Sequence, residues 1–288
     1  MFSKYAIFLK VLDLGSFTKT AQAINYSQSA ISQSIKSLEE ELQTPLLIRS
    51  KEGLSLTKDG QVYLPYIKEL VVREKALSEK IREMTGLGKS TITIGVFTSA
   101  SRYFLLDYLS RFKETYPDLR VFLKQGDYTS ISRWIETGEV DFGFINADIT
   151  DSLEQKILYQ DQLLLVLPDN HPLATRKSLS LRDISQLPLI LLDEGRDNIA
   201  KQTFEQHRLD PIIDYMIYDD YTIVEMIKRG LGVGLLYQAF LDNIDMTDLT
   251  AIPIDEKPSR HVALAWHKWD ILPLASKKML TFILEDLS

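Results

Sequence analysis

Ser16-Phe17-Thr18-Lys19-Thr20-Ala21-Gln22-Ala23-Ile24-Asn25-Tyr26-Ser27-Gln28-Ser29-Ala30-Ile31-Ser32-Gln33-Ser34-Ile35-Lys36-Ser37 is the stretch that decides the N-terminal fold. It reads as two helices joined by a tight turn, Asn25-Tyr26-Ser27. Thr18 precedes a small-residue helix, Lys19 to Ile24, and Ser27 precedes a longer one, Gln28 to Leu42, so a hydroxyl stands ready to cap the free amides at each start. On the second helix Ile31, Ile35, Leu38 and Leu42 recur at spacings of four and three and form one buried stripe. That stripe turns Ser29, Gln33, Lys36 and Glu40 to the opposite side, with Ser32 on the flank and Gln28 in the open first turn. An amphipathic helix with a solvated face is the commoner source of such a pattern. Here, however, the acidic run Glu39-Glu40-Glu41 begins only after Lys36. Short polar groups followed by an amide and an ammonium suit a helix entering the major groove by its N-terminal half.

Outward from this stretch, Leu46-Leu47-Ile48-Arg49 and Leu54-Ser55-Leu56-Thr57 flank Ser50-Lys51-Glu52-Gly53 and read as a hairpin turning at the glycine. Such a wing sets Arg49, Lys51 and Lys58 near backbone phosphates. Beyond it, Tyr63, Ile67, Leu70, Leu77, Ile81 and Met84 alternate by four and three, with Glu74 in the one missing place. About three heptads flanked by charges favour a two-helix coiled coil. Gly86-Leu87-Gly88-Lys89-Ser90 ends the helix as a hinge.

Residues 1–58, with a first helix Tyr5 to Leu14, resemble the winged helix-turn-helix of LysR-type transcriptional regulators. The resemblance rests on Gly15-Ser16-Phe17-Thr18, Ala21, Ser27-Gln28-Ser29-Ala30-Ile31-Ser32, Leu38-Glu39, Leu47-x-Arg49 and Leu56-Thr57-x-x-Gly60. Two departures stand out: Gln33-Ser34 where the family often has arginine and glutamine, and Lys36 for a frequent arginine. The bidentate guanine readout of arginine is thereby absent. Thr18, Ser27, Gln28, Ser29, Ser32, Gln33, Lys36, Arg49 and Lys51 are the candidate contacts to double-stranded promoter DNA. The resemblance implies a linker helix that pairs two chains, a homodimer or homotetramer, contact with RNA polymerase, and a C-terminal domain that senses a small-molecule effector.

The 288 residues divide their charge unevenly: residues 1–88 carry 12 Lys+Arg and 10 Asp+Glu, and residues 89–288 carry 21 and 30. A C-terminal part so acidic is repelled by phosphate, whereas the N-terminal part is not. Cysteine is absent, which excludes disulfide and thiolate chemistry. No apolar run approaches membrane-spanning length, and Met1-Phe2-Ser3-Lys4 opens directly into a helix, so a cytoplasmic protein away from membranes is expected.

From Thr91 onward strands alternate with helices, the pattern of parallel α/β structure. The strands expected are Thr91–Phe97, Leu119–Lys124, Val140–Ile145, Gln162–Leu167, Leu189–Leu192, Ile213–Tyr218, Val233–Leu236 and His261–Trp266. Helices are expected over Ser101–Tyr116, Ser130–Gly138, Leu181–Ser185, Asn198–Arg208, Thr222–Arg229 and Pro273–Leu287. The fold class is α/β overall: a winged helix-turn-helix (1–58), a linker helix and hinge (59–88), and an effector-binding domain (89–288). By resemblance to the family and to periplasmic binding proteins, that domain has two lobes, about 89–160 with 267–288 and about 161–266. Its crossings are placed near Leu158–Gln162 and Leu264–His267.

Ligands of such sheets bind beyond the carboxyl ends of strands, at helix N-termini. Three segments qualify: Phe97-Thr98-Ser99-Ala100-Ser101, Gly126-Asp127-Tyr128-Thr129 and Asp219-Asp220-Tyr221-Thr222, with Asn146 ending a strand nearby. Any one of these residues is more often a plain helix cap. By resemblance, Ser99 and Asp127 or Tyr128 line the effector cleft, and the candidate effector contacts are Thr98, Ser99, Ser101, Asp127, Tyr128, Thr129, Asn146, Tyr221 and Thr222. The nearby acids favour a ligand with hydrogen-bond donors, or with both charges, over a bare dicarboxylate. Gly230-Leu231-Gly232-Val233-Gly234 follows a helix and enters a strand, the reverse of a dinucleotide loop, and reads as a helix end. His171, His207, His261 and His267 lack metal spacing, and no nucleophile elbow or P-loop occurs. No catalytic residue, cofactor or metal is therefore expected. The competing reading is an enzyme with an appended DNA-binding domain.

Overall fold

The computed structural model describes residues 2–50, 53–85, 91–149 and 152–286. Two compact units divide the chain, Met1–Gly88 with Glu136–Glu139 and Lys89–Ile135 with Val140–Ser288.

The first unit contains α1 (Lys4–Leu14), α2 (Phe17–Ala23), α3 (Gln28–Leu42), a hairpin of β1 (Leu47–Ser50) and β2 (Gly53–Leu56), and α4 (Lys58–Thr85). Phe8 and Val11 of α1, Phe17 and Ala21 of α2, and Ile31, Ile35 and Leu38 of α3 share one buried core. Ser27 caps α3, accepting from the Ala30 amide at 3.1 Å. The cap of α2 is Ser16, which accepts from the Lys19 amide at 3.3 Å, and not Thr18. Phe17 is buried as the first helical residue, so the helix starts with it and leaves Thr18 exposed in the first turn. Asn25 makes the turn in the left-handed region, φ 55°, a conformation its short polar side chain tolerates. Lys51 and the segment Gly86-Leu87-Gly88-Lys89-Ser90, expected as a phosphate contact and a hinge, lie outside the described residues.

Two motifs acquire a physical reason here. The Glu39 carboxylate accepts from the Leu46 and Leu47 amides at 2.8 and 3.2 Å, tying the end of α3 to the start of the wing. Thr57 Oγ1 donates to the Pro45 carbonyl at 2.7 Å and accepts from the Gly60 amide at 2.8 Å, which caps α4. Gly60 is needed because a Cβ there would stand 2.3 Å from the Leu46 carbonyl oxygen. Helix α4 runs through Pro65, and its seam divides. Tyr63 and Ile67 pack on the winged core, whereas Leu70, Leu77, Ile81 and Met84 are exposed.

The second unit holds one sheet of nine described strands. In chain order its elements are β3 (Thr91–Val96), α5 (Thr98–Ala100), a π turn (Ser101–Leu105), α6 (Leu106–Thr115), β4 (Arg120–Gln125), α7 (Tyr128–Glu136) and β5 (Phe142–Asn146). There follow β6 (Glu154–Pro168), α8 (Leu181–Ile184), β7 (Leu189–Leu192), α9 (Ile199–Gln206), β8 (Ile213–Ile217), α10 (Asp220–Lys228) and β9 (Val233–Tyr237). The chain closes with α11 (Gln238–Leu241), β10 (Leu249–Pro253), β11 (Ser259–Trp266) and α12 (Leu274–Asp286).

Strand order is β4-β3-β5-β11-β6-β9-β7-β8, with β10 also paired to β6. The sheet is parallel within each half, but β6 and β11 run antiparallel to all their partners, so the whole is mixed and not purely parallel. These two strands carry the chain between lobes. Along β6, Glu154–Gln162 pairs with β11, and the chain from Leu163 onward pairs with β9 and β10. The second crossing differs from Leu264–His267. Val262–Trp266 already pairs with β5, and Val262, Ala263, Leu264 and Ala265 sit in the first lobe's core, so the chain crosses ahead of Val262. In the second lobe Leu163, Leu165 and Leu167 face one layer while Leu164 and Val166 face the other, the period of two expected of a covered strand.

Gly60→Ala is expected to destabilise the winged unit by about 1–3 kcal/mol, since a methyl group is forced against a carbonyl oxygen. Urea unfolding followed by helix signal tests it; an unchanged midpoint contradicts the close approach.

Candidate functional site

On α3 the side chains of Gln28, Ser29, Gln33 and Lys36 are exposed, and Ser32 is half-buried. The Ser29 and Ser27 hydroxyls share a hydrogen bond of 2.9 Å. Lys36 lies 3.5 Å from Glu40, one helical turn on, with both side chains largely in solvent, a pairing too weak to withhold the ammonium from another anion. Arg49 is exposed on β1 with its guanidinium 3.9 Å from the centre of the Phe17 ring, which orients a charge that would otherwise wander.

The second unit has a cavity at the carboxyl ends of β3, β4, β7 and β8. Thr98 and Ser99 line it after β3, Asp127 and Tyr128 after β4, Asp193 and Glu194 after β7, and Tyr218 and Asp220 after β8. Its floor is Arg260 of β11, which is 1 % exposed. Arg260 stands in register with Asp161 of β6, and its Nε and Nη2 donate to Asp161 Oδ2 at 3.1 and 2.6 Å. Nη2 also donates to Ser99 Oγ at 3.0 Å, and Nη1 donates to the Tyr128 hydroxyl. The guanidinium lies 3.5 Å from the centre of the Tyr237 ring and 4.9 Å from that of Phe97. Asp161 is held from behind by the Ala239 amide at 2.9 Å. A buried cation is tolerable only when so thoroughly matched.

Glu194 accepts from the Tyr128 and Tyr237 hydroxyls at 3.0 and 3.1 Å. Burial pushes its carboxyl up, against the pull of Arg260 and of these donors. Among the described residues, the hydrogen bonds that join the lobes include Tyr128 to Glu194 in the cavity wall, Thr129 Oγ1 to Asp197 at 2.8 Å, and Tyr103 to Tyr221 at 2.7 Å between hydroxyls.

Residues 2–61 match the bacterial regulatory helix-turn-helix protein model of the lysR family, and residues 85–288 match the LysR substrate binding domain. The chain belongs to the LysR family. This regulator is 32% identical over 273 residues to YvbU, an HTH-type transcriptional regulator of Bacillus subtilis, covering 94% of this chain and 93% of that one. It shares its fold with HinK, a LysR family transcriptional regulator from Pseudomonas aeruginosa, at TM-score 0.59 and 22% identity over 99% of this chain and 98% of that one. The regulatory domain of CcmR from Synechocystis, solved in complex with 2-PG, gives TM-score 0.63 at 21% identity over 69% of this chain and 98% of that one. The chain is thus a LysR-family transcriptional regulator with a helix-turn-helix DNA-binding domain and an effector-binding domain.

Of the effector contacts expected in this LysR-family chain, Thr98, Ser99, Asp127 and Tyr128 line the cavity. The other five stand elsewhere. Ser101 Oγ donates to the Thr98 carbonyl at 3.0 Å, and Thr129 and Tyr221 bond lobe to lobe. Thr222 is exposed and takes Asp219 as its cap partner. Asn146 is buried at the end of β5 beside β11, its Oδ1 accepting from the His261 amide at 3.2 Å. The regulator's cavity also uses Asp161, Glu194, Asp220, Tyr237 and Arg260 as partners or lining, none of them among the contacts expected. Asp161 stands two residues before the apolar run Leu163–Leu167 and Arg260 two before Val262–Trp266, but nothing local pairs them, since the strands that do are distant in the chain.

Asp220 is 4 % exposed. Burial pushes its carboxyl from 3.8 up to about 6, against the attraction of Arg260. The folded chain therefore holds this proton more tightly than the unfolded chain. The cost to stability is absent below about pH 4, develops as the pH rises towards 6, and is complete above it. Asp220→Asn is expected to stabilise the second unit by about 2–3 kcal/mol at pH 7.5 and by almost nothing at pH 4. Denaturant unfolding across that range checks it, and a gain independent of pH would contradict it.

Proposed function

We propose that Gln28, Ser29, Ser32, Gln33 and Lys36 of α3 read promoter DNA in the major groove, while Thr18, Ser27, Arg49 and Lys51 contact its backbone. The observation that carries this reading is the exposed polar face of α3, free of acids from Gln28 to Lys36. Side chains of this length reach base edges, and the acids from Glu39 onward fall where the helix leaves the groove.

A small-molecule effector binds between the lobes of the second unit, against Thr98, Ser99, Asp127 and Tyr128, while Thr129 and Tyr221 hold the lobes together through their bonds across them. Its occupancy changes how the protein engages the promoter and RNA polymerase. The exposed apolar stripe of α4, Leu70, Leu77, Ile81 and Met84, supports pairing of two chains into a homodimer or a tetramer. The protein works in the cytoplasm by binding, not by turnover. Among the described residues no helix is long and apolar enough to cross a membrane.

Footprinting on the native promoter tests the DNA half. Gln33→Ala is expected to relax preference at one base position by about 1–3 kcal/mol, and Lys36→Ala to weaken binding evenly and lower the salt slope by about 1. Unchanged affinity, preference and salt slope in both variants would mean that another surface reads the DNA.

A further inference from the structure

We propose that the effector carries an ammonium group and that Asp220 is the residue that receives it. The inference rests on the reading that the effector occupies this cleft, and it adds the charge of the ligand. Asp220 lines the cavity, is 4 % exposed, and among the described residues no other residue donates a hydrogen bond to its carboxylate. A buried carboxylate so poorly matched is costly unless something else donates to it.

The cation in the same lining cannot do so. The guanidinium of Arg260 already donates to Asp161, Ser99 and Tyr128, and its remaining direction faces Glu194, 3.9 Å away. For the same reason Arg260 is not a receptor for a carboxylate ligand. The other charged groups lining the cavity are Asp127 and Asp193, the first capping the Ser130 amide at 2.7 Å and the second accepting from the Gly195 amide at 3.1 Å. Their negative charge repels an anion and attracts a cation. Tyr218 adds an aromatic ring to the same lining, a group whose face favours a cation. The cavity of about 40 Å³ has room for a few water-sized groups, the size of a primary ammonium with its first carbon.

Thermal unfolding of the full chain at pH 7.5 and constant ionic strength, with ethylammonium, acetate or succinate as probe, tests this. Ethylammonium is expected to raise the midpoint of the second unit saturably, acetate and succinate to leave it unchanged, and Asp220→Asn, nearly isosteric, to lose at least tenfold in apparent affinity for ethylammonium. Saturable stabilisation by succinate or acetate alone, lost in Ser99→Ala, overturns the charge assignment while leaving the cleft as the effector site. Ethylammonium binding equally to wild type, Asp220→Asn and Ser99→Ala puts the ammonium outside the cleft and overturns both. No stabilisation by ethylammonium overturns the proposal.

Discussion

The pairing of Arg260 with Asp161 is the constraint on which the second unit depends. The two residues face each other in register on β11 and β6, the strands that join the lobes, and both are almost wholly removed from water. Burying two charges costs several kcal/mol per ion before any gain is counted, and only close geometry with further hydrogen bonds offsets it. The fold supplies those bonds from both sides. Ser99 and Tyr128, from the first lobe's helix starts, accept hydrogen bonds from Arg260, while from the second lobe Tyr237 lays its ring against the guanidinium and Glu194 adds a carboxylate 3.9 Å away. One guanidinium thereby sets the spacing of four segments that wall the cavity. A ligand that alters any of these contacts changes the relative energy of the lobe arrangements, which is the requirement for a binding event to become a signal.

The winged unit is organised by short-range links. Glu39 fastens α3 to the wing, Thr57 fastens the wing to α4, and Gly60 lets α4 approach the Leu46 carbonyl. None of these links is made by Gln28, Ser29, Ser32, Gln33 or Lys36 of the polar face of α3. The reading surface can therefore vary in residue type, as with Gln33 and Lys36, without disturbing the frame that presents it.

Much of this was legible in the sequence because it is local. The limits of α3, the Ser27 cap and the hairpin follow from periodicity and cap chemistry within a few residues of one another. The start of α2 was missed by reading a hydroxyl as a cap when the residue before the buried Phe17 was the one free to do it. Long-range pairing was harder. β6 is 15 residues long because its first part pairs with β11, and β11 is distant in the chain and reaches the first lobe earlier than its apolar run suggests. The helix-start segments that hold Thr98, Ser99, Asp127 and Tyr128 were recognisable from strand order, and the family resemblance pointed to Ser99 and to Asp127 or Tyr128 within them. Glu194 was not, since it reads singly as a surface charge, and Asp220 was visible only as one acid of a helix start, its burial against the cavity being set by strands distant in the chain.

A double-mutant cycle on the crossing strands tests this account most directly. With urea unfolding of the full chain, Arg260→Met and Asp161→Leu are each expected to cost about 3–5 kcal/mol by stranding the other charge, and the double variant to cost far less than the two losses together. Additive losses would mean that the two residues act independently and that the buried pair does not hold the lobes in place.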